Sequence, residues 1–262
     1  VRCLYTMTLL LLSSWLLLAA KAQNDPFLGP NRYPQYRNLS GLAGGGFGVD
    51  AEGYPSLVGP TAYSTPIAYV PGHDEIRILG AKMSFTSLPD VRIGHTNGSG
   101  VFLYGHTFGR LNVAFSDLIK SSQWDQALNL QIGWIPSSPI APAFSVGVQD
   151  IFGHGGAAGE GVPGDAASTR SVFAVATWCV PWRHPLYVSA GIGSCRFRQG
   201  FASASMPLSR GLRGWIEYDG FGFNEGLLWA TWKTKMGLRA ETDFTVGFIR
   251  GRYFLLGAGI GF

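Results

Sequence analysis

Phe254-Leu255-Leu256-Gly257-Ala258-Gly259-Ile260-Gly261-Phe262 is the stretch whose reading decides the fold. Phe254, Leu256, Ala258, Ile260 and Phe262 alternate with Leu255, Gly257, Gly259 and Gly261. In an extended chain successive side chains point to opposite faces, so one face here is apolar and the other mostly glycine. The pattern predicts a strand with an apolar outside and an inside nearly free of side chains.

The same period of two recurs from Glu75 onward. Leu128, Leu130, Ile132 and Trp134 alternate with Asn129, Gln131 and Gly133. Phe144, Val146 and Val148 alternate with Ser145, Gly147 and Gln149, and Leu186, Val188, Ala190 and Ile192 with Tyr187, Ser189, Gly191 and Gly193. In a transmembrane barrel the apolar set meets lipid and the polar or small set faces the lumen. Twelve strands are expected, over 75–85, 99–109, 111–118, 127–135, 143–152, 169–180, 186–196, 199–206, 212–220, 223–232, 237–249 and 252–262. Soft boundaries at the eighth and eleventh, and poor alternation in the tenth, leave ten or fourteen open.

Composition supports an all-β, single, antiparallel transmembrane barrel. Charged residues make up 14% of the chain, against about 25% in ordinary soluble domains. The 37 glycines are scattered through apolar stretches. After Gln23 no apolar run reaches the roughly 20 residues of a spanning helix. Residues 1–22 read as a signal peptide: Arg2 precedes the apolar run Leu9–Leu18, and Ala20 and Ala22 form the small-x-small site for cleavage before Gln23. The remainder carries 18 basic and 16 acidic residues, a net charge of +2, with no basic cluster to suggest nucleic acid. Three parts follow: 1–22, a glycine- and proline-rich 23–74, and the barrel over 75–262. Residues 41–74 are too broken for a regular strand and are expected either as a periplasmic lead or as a plug inside the barrel mouth.

Loop lengths offer a separate check. The long connections 86–98, 119–126 and 153–168 each follow an odd-numbered strand, while Arg110, 136–142 and 181–185 are shorter. Long extracellular loops and short periplasmic turns characterise outer-membrane barrels. Trp124, Trp134, Trp178, Trp182 and Trp232 fall at expected strand ends or beside turns, where an interfacial girdle sits. Trp215 and Trp229 lie further inside strands. The final alternating strand resembles the signature read by the barrel-assembly machinery. These features imply the outer membrane of a Gram-negative-type envelope, with lipid and that machinery as partners.

No catalytic, cofactor or metal set is legible. His106, Ser116, Asp117, His154, Glu217 and Asp219 are scattered, and adjacent Ser116 and Asp117 point to opposite faces of a strand. No cysteine or histidine spacing matches a metal site. An export signal permits a disulfide, but Cys179 and Cys195 are expected at opposite ends of neighbouring strands. Glu217, Asp219, Asn224 and Glu225 cluster about one hairpin, as a lumen or rim polar group able to pair with Arg196, Arg198, Arg213 or Arg239. Small inward residues leave space for water, making a small passive diffusion channel one reading, or for the 41–74 segment. An outer-membrane hydrolase is a further reading.

Two stretches carry a family resemblance. Gly59-Pro60-Thr61-Ala62 and Thr65-Pro66-Ile67-Ala68-Tyr69-Val70-Pro71-Gly72 lead into the first strand. Ile216-Glu217-Tyr218-Asp219-Gly220 with Phe223-Asn224-Glu225-Gly226-Leu227 forms a late hairpin. Together they resemble the YjbH-like outer-membrane barrel proteins over about 41–262, in a chain shorter than typical members. The resemblance implies a non-enzymatic role in exopolysaccharide export or surface assembly, beside envelope export proteins, and supplies no catalytic residues.

Overall fold

A computed structural model describes residues 48–50, 53–54, 56–83, 98–120, 126–134, 136, 138, 141–152, 170–181, 183–220, 222–235, 238–249, 251 and 253–262. Among them lie twelve strands: β1 (Glu75–Met83), β2 (Gly98–Phe108), β3 (Leu111–Lys120), β4 (Gln126–Trp134), β5 (Ala143–Gln149), β6 (Ser171–Val180), β7 (Leu186–Gly193), β8 (Phe201–Ser209), β9 (Leu212–Tyr218), β10 (Phe223–Lys235), β11 (Leu238–Ile249) and β12 (Tyr253–Gly261). Each pairs antiparallel with its sequence neighbours, and β1 pairs with β12 to close the barrel. The seam is continued past β12 by reciprocal backbone bonds between Ile76 and Phe262, at 2.9 and 3.1 Å. Closure leaves no unpaired strand edge.

The twelve strands of the sequence reading are present, with ends moved by local turns. Asp150, at φ 57°, ends β5 before residue 152. A 3-10 turn over Cys195–Phe197, followed by Gly200 at φ 73°, stops β7 at Gly193 and delays β8 to Phe201. β8 then runs on to Ser209 through an irregularity at Pro207, because a proline without an N–H breaks the ladder locally.

Side chains alternate as the sequence requires. Phe102, Tyr104, Phe144, Val146, Val172, Ile192, Leu227, Phe244, Val246 and Leu256 are exposed on the outside. Phe254, Leu256, Ala258, Ile260 and Phe262 share that outer face, while Leu255, Gly259 and Gly261 are buried inside. Phe108, Leu111, Trp134, Phe144 and Trp178 are exposed near the strand ends shared with the start of β1. Trp215 instead faces the lumen and is buried. Trp124 and Trp182, like residues 1–47, lie outside the described residues.

The connections divide by end. At one end β1, β3, β5, β7, β9 and β11 finish and β2, β4, β6, β8, β10 and β12 begin. At the opposite end β2, β4, β6, β8 and β10 finish and β3, β5, β7, β9 and β11 begin, together with the start of β1 and the end of β12. Below, these are the loop end and the turn end.

Candidate functional site

A segment of the chain itself occupies the lumen. Residues 56–73 form a finger that rises from the turn end along β9, bends at Ser64-Thr65, and returns to β1. Every residue from Gly59 to Gly72 is buried. Pro60, Pro66 and Pro71 exclude a regular ladder, so the finger's buried backbone groups must bond to side chains of the wall. This explains why the inward positions are rich in serine, threonine, asparagine and glutamine.

On the rising limb, Arg213 Nη1 donates to the carbonyls of Ser56 (2.7 Å) and Gly59 (3.2 Å). Thr61 N–H donates to Ser205 Oγ at 3.0 Å, and the Tyr63 ring stacks on Trp215 with centroids 5.6 Å apart. On the descending limb, Gln131 Nε2 donates to the Ile67 carbonyl at 2.6 Å, and Ala68 N–H to Thr177 Oγ1 at 2.8 Å. Asn112 Nδ2 then donates to the Val70 carbonyl at 2.9 Å, and His73 N–H to Thr107 Oγ1 at 3.0 Å. Two wall glycines admit this limb. A Cβ on Gly105 would lie 2.4 Å from Pro71 O, and one on Gly133 would lie 2.6 Å from Val70 Cγ2.

The tip is held by one carboxylate. Glu217, inward on β9 toward the loop end, is 1% exposed. Its Oε2 accepts from the N–H groups of Tyr63 (2.9 Å) and Thr65 (3.2 Å) and from Thr65 Oγ1 (2.9 Å). Its Oε1 accepts from Ser64 N–H (2.8 Å) and Ser64 Oγ (2.6 Å). Successive N–H groups converging on one point form an anion-binding concavity, and bonds to an ionised acceptor are the strong ones. Asn224 Nδ2 donates to Glu217 Oε1 at 2.8 Å and to Ser64 Oγ at 3.0 Å. Arg196 Nη2 reaches the Ser64 carbonyl at 2.7 Å while Nη1 holds Gln149 Oε1 at 2.8 Å.

The finger and the β9–β10 hairpin therefore meet although they are about 150 residues apart, as in the Ser64–Glu217 separation of 153. They are the two stretches that carried the family resemblance. No family model matches the chain, and no curated protein matches it. The site must be read from its own chemistry.

Glu217, Asp219 and Asn224 converge inside the lumen, whereas Glu225 is exposed on the outer face of β10. Asp219 Oδ1 accepts the Gly222 N–H at 2.9 Å within the hairpin turn. Arg196 and Arg213 hold finger carbonyls, and Arg198 is exposed. Near the turn end a second charged group was not foreseen from sequence. Arg77 pairs through Nε with Glu75 and through Nη2 with Glu241 Oε2 at 3.0 Å, all three being buried. Its signal was present in the inward parity of Glu75, Arg77 and Glu241, but their proximity depends on the β1–β12–β11 register, in which Gly261 separates Arg77 from Glu241.

The scattered hydrolase candidates stay scattered. Ser116 faces inward and accepts from Asn129 Nδ2 at 3.1 Å, while Asp117 faces outward on the same strand. His106 lies outside, against Asp74, and His154 is outside the described residues. Cys179 and Cys195 are free thiols. Among the described residues no group of histidine, cysteine, aspartate or glutamate is arranged to hold a metal ion.

The finger joins β1 through His73 and Asp74, both in the left-handed region at φ 56° and 61°. The Tyr104 hydroxyl donates to Asp74, and His106 Nδ1 lies 2.6 Å from Asp74 Oδ1. These bonds, Tyr104 first, hold the Asp74 carboxyl below the usual carboxylate range. A depressed folded-state pKa adds stability above the unfolded-state value, which is lost as pH falls through the folded value. Protonation of Asp74 is therefore expected to move the Tyr104 ring resonance only below about pH 4, the ordinary aspartate value, and Asp74→Asn should abolish that movement. A low-pH movement that persists in Asp74→Asn would show that Asp74 does not control this turn.

Proposed function

We propose that the chain is a non-enzymatic outer-membrane barrel with a closed bore that assists export or surface assembly of an exopolysaccharide. The closed antiparallel barrel and its apolar outer face support the membrane reading, since only a lipid-facing surface would leave so many large apolar side chains outward. Long connections gathered at the loop end support an extracellular position for that end, with the turn end in the periplasm. The observation that carries the reading of the bore is the finger. A lumen packed with buried, hydrogen-bonded backbone is not a standing water path, and this counts against a passive diffusion channel. The polysaccharide itself rests on the resemblance borne by the finger and the β9–β10 hairpin. Outer-membrane lipid, the barrel-assembly machinery and envelope export proteins are the partners this role requires.

Purified chain in detergent should migrate anomalously on unboiled gels, shift on heating, and show little conductance in a planar bilayer. Deletion of its gene should reduce surface polysaccharide under producing conditions. Unchanged polysaccharide would remove the export role, and a large steady conductance would remove the closed bore.

A further inference from the structure

We infer that the finger tip is a carboxylate-binding site and that Glu217 is its tethered occupant, a latch that holds the lumen closed. The inference rests on the closed-bore reading and adds to it the group that keeps the bore shut. The finger supplies five donors, the N–H groups of Tyr63, Ser64 and Thr65 and the hydroxyls of Ser64 and Thr65, within 2.6–3.2 Å of the Glu217 oxygens, and Asn224 Nδ2 of the wall adds one at 2.8 Å. The wall contributes the anion. Nothing in this chemistry is particular to a glutamate, because the five donors would accept any planar carboxylate presented along the same line.

Attachment by covalent tether gives Glu217 a high effective concentration, so a free carboxylate competes poorly with it. A ligand shifts such an equilibrium only by its differential affinity for the two states. A polymer bearing repeated carboxylates, such as an acidic polysaccharide, is the competitor that tethering least excludes. Exchange would not strand Glu217. Arg196 donates to the Ser64 carbonyl, and the same residue's N–H and hydroxyl donate to Glu217. When Ser64 leaves, the wall donor Asn224 Nδ2, 2.8 Å from Glu217 Oε1, stays with the carboxylate.

Glu217→Ala removes the γ-carbon and the carboxylate, a fragment with the size and charge of acetate. The full chain, checked by heat-shifted gel migration, is compared with this variant in planar bilayers and in thermal unfolding. Acetate, or neutral acetamide as a control, is added at constant pH and ionic strength. Wild type is expected to stay closed and indifferent to both solutes. Glu217→Ala is expected to open about tenfold or more often, since its buried donors are left without their charged acceptor. Acetate should restore closure and raise the midpoint saturably, and acetamide should not. A variant that stays closed, or opens without responding to acetate, overturns the latch while leaving the closed bore intact. Steady conductance by wild type overturns the closed bore itself.

If Glu217→Ala does not fold, Ser64→Ala/Thr65→Ala removes two donors and keeps the carboxylate. It should open to a smaller extent and ignore acetate, because its site is still filled. Closure equal to wild type in that variant would also overturn the latch.

Discussion

Arg77→Met is expected to destabilise the folded barrel by about 3–5 kcal/mol, the cost of leaving buried charges without their partner. Arg77 bridges Glu75 and Glu241, and the three side chains are at most 3% exposed. Methionine fills a similar volume, so the loss reports charge rather than a cavity. The diagnostic variant is Glu75→Gln/Arg77→Met/Glu241→Gln, which removes the three directly paired charges together and leaves the neighbouring Arg213 and Asp243 in place. Replacing buried ion pairs by neutral residues of like size is often nearly neutral, so the triple variant should recover a large part of the loss. The measurement is the urea midpoint of the heat-shifted band. If the triple variant were as unstable as Arg77→Met, the ion pairs would not be the reason for its cost.

Leu130→Arg should cost about 2–4 kcal/mol, the range for a cation at the lipid midplane of a barrel. Leu130 is the fifth of the nine residues of β4, faces outward, and sits between Phe115 and Val148. Leu208→Arg is the control, since Leu208 is also outward but next to last in β8. Near an interface the same change costs about 0–1 kcal/mol. Equal losses at both sites would argue against a bilayer around the barrel. Gln131, the inward neighbour of Leu130, is not a usable control. Its amide donates to Ile67 O and Ser145 Oγ beneath the finger, so an arginine there would disturb the plug.

The difference between these neighbours shows what sequence could and could not disclose. Which face each residue takes was legible, because alternation is a property of extended backbone and needs no partner. Leu130 and Gln131 were assigned to outside and inside from spacing alone, and β4 and β12 fell within a residue or two of their observed ends. Boundaries were lost where the backbone turns through unusual dihedrals, as at Asp150 and at Cys195–Phe197. What fills the inside was less legible. A finger without regular structure has no period, and its contacts depend on registers accumulated around the closed wall. The sequence allowed residues 41–74 to lie in the barrel mouth or to lead up to it. It could not pair Ser64 with Glu217, or distinguish Trp215, which packs on Tyr63, from the tryptophans facing out.

Gly105 and Gly133, the wall positions in contact with Pro71 and Val70, bear on how such a molecule is assembled. The finger precedes β1 in the chain, yet the cylinder is sealed only when β1 meets β12, nearly the whole chain later. Threading a bent, hydrogen-bonded loop into a finished cylinder would require stripping its backbone of water before any wall group could replace it. The economical order is the reverse, with the early segment serving as a mandrel on which successive hairpins are laid. The seam between first and last strands, whose closure carries the largest loop entropy, would then form last.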